Sequence, residues 1–477
     1  MSLLFSFVEK YALLLVGLAS GMILSRLLTP AETGVYSVGA VLLGMAQVLR
    51  DFGVGQYLIQ ERDLSADKLR AVLATSFLFA WSLAGAIALS SFPMARFYHE
   101  ARLATVLQLL ALNFLLIPFS AVTLPMLRRQ MRFGAICAIN LTQGICNFVL
   151  AVVLAWRGFG YLSLALASVA ATLAALLLGL YLRPPHLPWM PSRKGMGAIL
   201  RFGTLATGGT LIDEVGVAAP DLIIGKLIGM EGVGVFGKAL GMLAVFNDAV
   251  TSVVSPVVFP LYAARARDAG DAAAVYLRTV SYMSAFAFPF FACLALMAAP
   301  LVRLLFGPQW DAAVPLIRIM CTSAAIYSMF SMARHLFVAI GQVGMQARLD
   351  ALAVPVRVLA LLGAAPFGLA GMAWAVVVGS LFRSWLTLRY LRRLAGLGFV
   401  AQLAAARKSL ALASICSCAP LTLLVLGATD KVLALSTCAV ATVALWLLGL
   451  LVLAHPLDDE LQLFRRKLAA FAIWPAK

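Results

Sequence analysis

The chain has 477 residues, enough for several soluble domains, yet 63% of them are hydrophobic, 12% are charged and the mean hydropathy is +0.98. A soluble chain carries about 45–50% apolar and about 25% charged residues, so cytosolic, secreted, fibrous and disordered classes are excluded and an all-α polytopic membrane protein remains. The net charge of +17, from 37 Lys and Arg against 20 Asp and Glu, sits in short clusters between apolar stretches, which is the pattern of cytoplasmic loops and not of a nucleic-acid face.

Charge clusters and Pro/Gly-rich breaks divide the chain into about fourteen apolar stretches, each near the ~20 residues that cross a bilayer. They begin at Tyr11, Val35, Leu69, Leu103, Gly134, Tyr161, Ile199, Val233, Tyr276, Val314, Leu349, Leu369, Leu410 and Val432. The first is flanked by Glu9, Lys10 and Arg26 with no small-residue cleavage site after it, so an uncleaved first helix is expected. On the fifth, Asn140, Gln143 and Asn147 are spaced to share a face. Amides there either bind sugar hydroxyls or hold helices together, the more frequent use in membranes.

The polar stretch Arg183-Pro184-Pro185-His186-Leu187-Pro188 predicts a cytoplasmic linker between halves. On the seventh span Thr207, Thr210, Glu214 and Asp221 fall within about 60° of one another at ~100° per residue. Two carboxylates on one stripe at membrane depth, beside Pro220, suit a proton or sodium site or a salt bridge to a neighbouring helix. Asn247, Asp248, Thr251 and Ser255 form a similar stripe on the eighth.

With the N-terminus in the cytoplasm, the inward segments hold 24 Lys and Arg and the outward ones seven. This asymmetry predicts that both termini are cytoplasmic and that the number of spans is even. The remaining six basic residues, Arg50, Lys238, Arg318, Arg334, Arg357 and Arg383, fall within predicted helices. They either line a cavity that attracts a diphosphate, since guanidinium groups donate bidentately to phosphate oxygens, or snorkel to the interface, Arg334 and Arg383 above all. The four histidines are scattered, the seven cysteines show no disulfide or zinc spacing, and there is no P-loop lysine motif, so no cofactor, metal or catalytic constellation is expected.

An offset of 200 residues aligns Ser25–Tyr36 with Gly225–Phe236 without a gap, matching basic, apolar, Gly and aromatic positions. Both segments fall at the turn between the first two spans of a half, as a duplication of six spans requires. The implied organisation is an N-lobe over 1–182, a linker over 183–198, a C-lobe over 199–395, and two further spans with a basic cytoplasmic tail over 396–477.

Leu28-Thr29-Pro30 followed by Gly34-Val35-Tyr36 resembles the opening of the polysaccharide-transporter branch of the multidrug/oligosaccharidyl-lipid/polysaccharide superfamily, which includes Wzx-type flippases. Arg50-Asp51-Phe52-Gly53-Val54-Gly55, Phe259-Pro260-Leu261-Tyr262 and Leu305-Phe306-Gly307-Pro308-Gln309-Trp310 are similar to later motifs of that family, in the same order. The resemblance implies two pseudo-symmetric six-helix lobes plus two C-terminal helices. It also implies a non-enzymatic flippase of the bacterial inner membrane that carries a polyprenyl-diphosphate-linked oligosaccharide from the cytoplasmic to the periplasmic leaflet. An H+ or Na+ gradient would drive it, beside polysaccharide polymerase and chain-length proteins. The alternatives are a multidrug cation antiporter of the same superfamily, which would have an acidic cavity without excess Arg, and a polytopic polysaccharide polymerase or ligase. The longest predicted outward loop, about ten residues, is too short for the catalytic domain of the latter.

Overall fold

The computed structural model describes residues 2–51, 54–55, 58, 61, 65–185, 187–267, 272–342, 344–427, 432–458 and 460, and of 2–7, 198, 202 and 204–210 the backbone alone. Every regular element among them is helical. Two compact units divide the chain, Met1–Gly237 and Lys238–Lys477.

The first unit holds α1 (Ser2–Leu27), α2 (Pro30–Asp51), α3 (Ala66–Tyr98), α4 (Arg102–Leu116), the short α5 (Thr123–Arg129), α6 (Phe133–Trp156), α7 (Leu162–Tyr181), α8 (Met196–Leu227) and the first turns of α9 (Met230–Phe246). Local chemistry sets the helix starts. Thr29 and Glu32 form a capping box on α2: the Thr29 amide donates to Glu32 Oε2 at 2.9 Å and the Glu32 amide to Thr29 Oγ1 at 3.3 Å. Pro30 fills the first helical position, where its missing N–H costs nothing. Leu24 and Leu28 pack against Ala151, Ala155 and Ala167, so small residues bring α1, α6 and α7 together. The 183–198 stretch is anchored: Leu187 is buried with Val54, Leu58, Leu69 and Val72, and the Ser192 amide donates to the Arg70 carbonyl.

α8 packs along α2 and α3, and α9 begins against α2. A Cβ on Gly34 would lie 1.8 Å from the Met230 carbonyl oxygen, and one on Gly234 would lie 2.0 Å from the Pro30 carbonyl oxygen. Only glycine allows this approach. Both pairs are related by the 200-residue offset of the sequence repeat, so equivalent points of the two repeats meet.

In the second unit, α9 passes through a π-helical turn (Asn247–Thr251) into α10 (Ser252–Arg267), followed by α11 (Ala272–Leu296), α12 (Ala298–Leu305), α13 (Ala313–Ser328), α14 (Ala333–Ala339), α15 (Met345–Ala364), α16 (Gly368–Ala395), α17 (Phe399–Val425) and α18 (Val432–Val452). α17 packs along α11, and α18 along α17. A buried polar knot pins them. His455 Nε2 lies 3.3 Å from Ser281 Oγ and 3.1 Å from Ser409 Oγ, and the Ser284 hydroxyl donates to Ser409 at 2.8 Å. His455 Nδ1 accepts from the Leu457 amide at 3.2 Å, and Trp446 Nε1 donates to the Ala285 carbonyl at 2.8 Å.

Twelve stretches among the described residues are long and apolar enough to cross a membrane. One of them, Met345–Ala395, contains both α15 and α16, and α8, with its five charged residues, is not among the twelve.

Candidate functional site

The residues singled out above lie in both units. In the first, Arg50 lies in the last turn of α2, with its Nη2 2.5 Å from Asp51 Oδ1 and its guanidinium 5.6 Å from the Phe114 ring. Its side chain is 14% exposed against 68% for Asp51, so the charge is held inward by a neighbour on the surface. Glu214 on α8 is half-buried, with Oε1 3.0 Å from the point a Gly44 Cβ would occupy. A glycine on α2 thus makes room for a carboxylate on α8. Asp221 lies two turns further along, beside Pro220, which leaves the Gly216 carbonyl without its helical donor. The side chains of Thr207 and Thr210 lie outside the described residues, as does the basic tail beyond residue 460.

Asn140, Gln143 and Asn147 do share one face of α6, and that face looks onto α1 across a recess of about 470 Å³. The Asn140 amide donates to Glu9 Oε1 at 2.6 Å.

In the second unit, Lys238 extends between two rings, its Nζ 4.9 Å from Phe306 and 4.9 Å from Trp310. Both rings belong to the Leu305–Trp310 motif. Arg357 lays its stem against Gly379, whose Cβ would lie 3.2 Å from Arg357 Cβ. Arg383 pairs with Asp350: its Nη2 is 2.7 Å from Asp350 Oδ1, the pair 23% and 4% exposed, with the Tyr327 ring 5.9 Å away. Gln346 Nε2 donates to Asp350 Oδ2 at 2.8 Å. Arg318 is exposed and its Nε donates to the Ala295 carbonyl at 3.3 Å. Arg334 is exposed on α14, and Asp248 is exposed on the π-helical turn.

Thus the six cations do not form one class. Lys238 faces rings and Arg357 a glycine, Arg50 and Arg383 pair with Asp51 and Asp350, and Arg318 and Arg334 are on the surface. Two partners escaped the sequence reading, Glu9 for Asn140 and Asp350 for Arg383. The signal for the second was Asp350 itself, the one acidic residue between Leu349 and Arg393.

Residues 23–315 match the family described as "Polysaccharide biosynthesis protein". The chain belongs to this family. Among curated relatives of this polysaccharide biosynthesis protein, the teichuronic acid biosynthesis protein TuaB of Bacillus subtilis is 23% identical over 311 residues, covering 62% of each chain. The lipopolysaccharide biosynthesis protein WzxC of Escherichia coli is 22% identical over 66% of this chain and 64% of its own. The succinoglycan biosynthesis transport protein ExoT of Rhizobium meliloti is 24% identical over 64% of this chain and 62% of its own. The matched region therefore spans less than two thirds of these relatives. The fold is that of the lipid II flippase MurJ in an inward closed conformation, with a TM-score of 0.74 at 11% identity over 96% of this chain and 99% of that one. A multidrug resistance MATE family transporter in an inward-facing conformation follows at 0.66 and 17% identity, over 80% and 94%.

Proposed function

We propose that this chain is a flippase that carries a polyprenyl-diphosphate-linked oligosaccharide from the cytoplasmic to the periplasmic leaflet of a bacterial inner membrane, by alternating access driven by an H+ or Na+ gradient. The observation that carries the reading is the family match over residues 23–315, joined to a fold shared with a lipid II flippase. WzxC is named for lipopolysaccharide biosynthesis and ExoT for succinoglycan biosynthesis transport, which supports a glycan cargo.

The chemistry of the chain suits such a cargo in three parts. Arg50 and Lys238 each present a positive charge inside a helical unit, and a diphosphate takes charge-assisted hydrogen bonds from such groups. Arg357 is a further candidate, whereas Arg383 is committed to Asp350 and Arg318 and Arg334 lie on the surface. A groove of about 500 Å³ among α11, α17 and α18, walled by Phe286, Phe290, Met297, Leu435, Val443 and Trp446, is apolar enough to take an isoprenoid tail. Glu214 and Asp221, with Thr207 and Thr210 on the same helix, are the proposed ion-coupling stripe, because a carboxylate at membrane depth must be protonated, paired or ion-bound. Asp248 is the weaker member of that set, being exposed. Cytoplasmic termini and polymerase and chain-length partners belong to the same reading.

Export of glycan in a strain lacking its own flippase, with protein level checked by blot, tests this. Arg50→Ala and Lys238→Ala should each reduce export by about one to two powers of ten, and Arg50→Lys should be intermediate because it keeps the charge and loses the fork. Full export by both Ala variants would sink the anionic-site assignment. Glu214→Gln should insert normally and lose gradient dependence in reconstituted vesicles, and unchanged dependence would remove Glu214 from the coupling site.

A further inference from the structure

The recess between α1 and α6 is built differently from the sites of the cations. Ser20 of α1 and Gln143, Asn147 and Asn140 of α6 line it, with Phe148 at one end. Among the described residues the side chains of Ser20, Gln143 and Asn147 make no hydrogen bond within the protein. Polar groups left open at membrane depth are costly unless a ligand or water meets them. Asn140 is the exception, because Glu9 Oε1 accepts a hydrogen bond from its amide and fixes the plane of the group. Its carbonyl oxygen is thereby left as an acceptor.

None of the residues that line the recess is charged, and the acidic Glu9, one helical turn before Leu13, is tied to it through Asn140. Two amides and a hydroxyl that both donate and accept, beside one aromatic ring, match a ligand that carries many hydroxyls and an apolar ring face. Its volume of about 470 Å³ falls within the roughly 300–1,000 Å³ of small-ligand pockets. A carboxylate entering it would shed water, meet no counter-charge and approach Glu9.

We infer that the α1–α6 recess is a saccharide subsite that selects uncharged sugar residues and rejects uronic acids. The assignment rests on the flippase reading only for the source of the sugar, the glycan head of the lipid-linked cargo. It places sugar recognition among uncharged lining residues, apart from Arg50 and Lys238.

Gly17 provides a clean probe, because a Cβ there would meet nothing within 4 Å and the side chain of a larger residue would grow into open space beside the lining. The test uses the purified full-length protein in phosphatidylcholine nanodiscs, free of glycoside detergents, with saturation-transfer NMR on methyl glucoside, glucuronate and glycerol phosphate in turn. Methyl glucoside should receive magnetisation from the protein and the two anions should not. Gly17→Leu and Gln143→Leu should each weaken glucoside binding about tenfold with the melting temperature retained. Equal transfer to glucuronate or glycerol phosphate, no transfer to the glucoside, or undiminished transfer in both variants would overturn the assignment. Binding is read here without transport. Failure of glycan export by the wild-type chain would therefore end the flippase reading and leave the recess standing, and absent glucoside binding with intact export would do the reverse.

Discussion

Removing the guanidinium of Arg383 strips Asp350, 4% exposed, of its ion-pair partner. Breaking a buried pair from one side costs about 3–5 kcal/mol, whereas replacing both members with apolar groups of similar volume is often neutral. Arg383→Ala should therefore melt well below the wild type in a fluorescence-monitored thermal scan, and Arg383→Met with Asp350→Leu should recover most of the loss. A single variant as stable as the double would mean that the pair does not anchor α15 to α16. The pair also marks a limit of sequence reading. Arg383 was legible as a base within a span, but its partner depends on α15 and α16 packing side by side across the Ala365–Phe367 turn. Glu9 and Asn140 lie 131 residues apart, and no local pattern joins them. Lys238 was similarly visible only as a charge, although the rings that hold it were already present in the Leu305–Trp310 motif.

Helix ends are the most legible elements, because their chemistry is local. Thr29-Pro30-Ala31-Glu32 announces the start of α2 in four residues, and Thr29→Ala should cost about 0.5–2 kcal/mol through loss of the cap. The π-helical turn at Asn247–Thr251 was not legible from a stripe of polar residues. It precedes Pro256 and Pro260, which withhold two backbone donors from α10. The docking of α17 and α18 by His455 was also hidden, since it gathers serines from α11 and α17. Burial first, and Lys408 second, hold the His455 imidazole below its usual pKa. The neutral ring fits its bonds, accepting at Nδ1 from the Leu457 amide. Arg278 and Glu460 pair nearby, and the Lys408 ammonium donates to the Ala454 carbonyl. The unfolded chain binds the proton more readily than the folded one, so stability from this knot is present above the ordinary histidine pKa and declines as pH falls below about 6.5. His455→Gln should flatten the acid limb of a melting temperature profile between about pH 7 and 5. An unchanged limb would place the pH dependence elsewhere.

For the whole molecule, composition and the spacing of charges were enough to expect a helical membrane chain, since every buried backbone group in lipid must be satisfied within helices or closed barrels. Orientation is the testable remainder. The split of 24 inward against seven outward basic residues predicts that reporters fused after Lys477 and within the Arg183–Arg193 segment report from the cytoplasm. A periplasmic signal from either would reject the topology. What composition could not supply is the division of the compact units at Gly237, within α9. Hydropathy is blind to which helices touch, and α8 reaches α2 and α3 through glycine contacts at Gly44 and Gly225 that no apolar average records.

The meeting of Gly34 with Met230, and of Gly234 with Pro30, behaves as the core of a homodimer whose subunits are fused in one chain. Each added methyl group strikes the carbonyl at the start of the opposite helix, and one outward displacement of the two helix starts relieves both collisions. The two substitutions are therefore thermodynamically coupled. Gly34→Ala and Gly234→Ala should each destabilise the protein, but the second should cost less once the first is present, leaving an interaction energy of about 0.5–3 kcal/mol in a double-mutant cycle. A drift that damages one glycine thus lowers the barrier to losing the other, so the pair is kept or lost together.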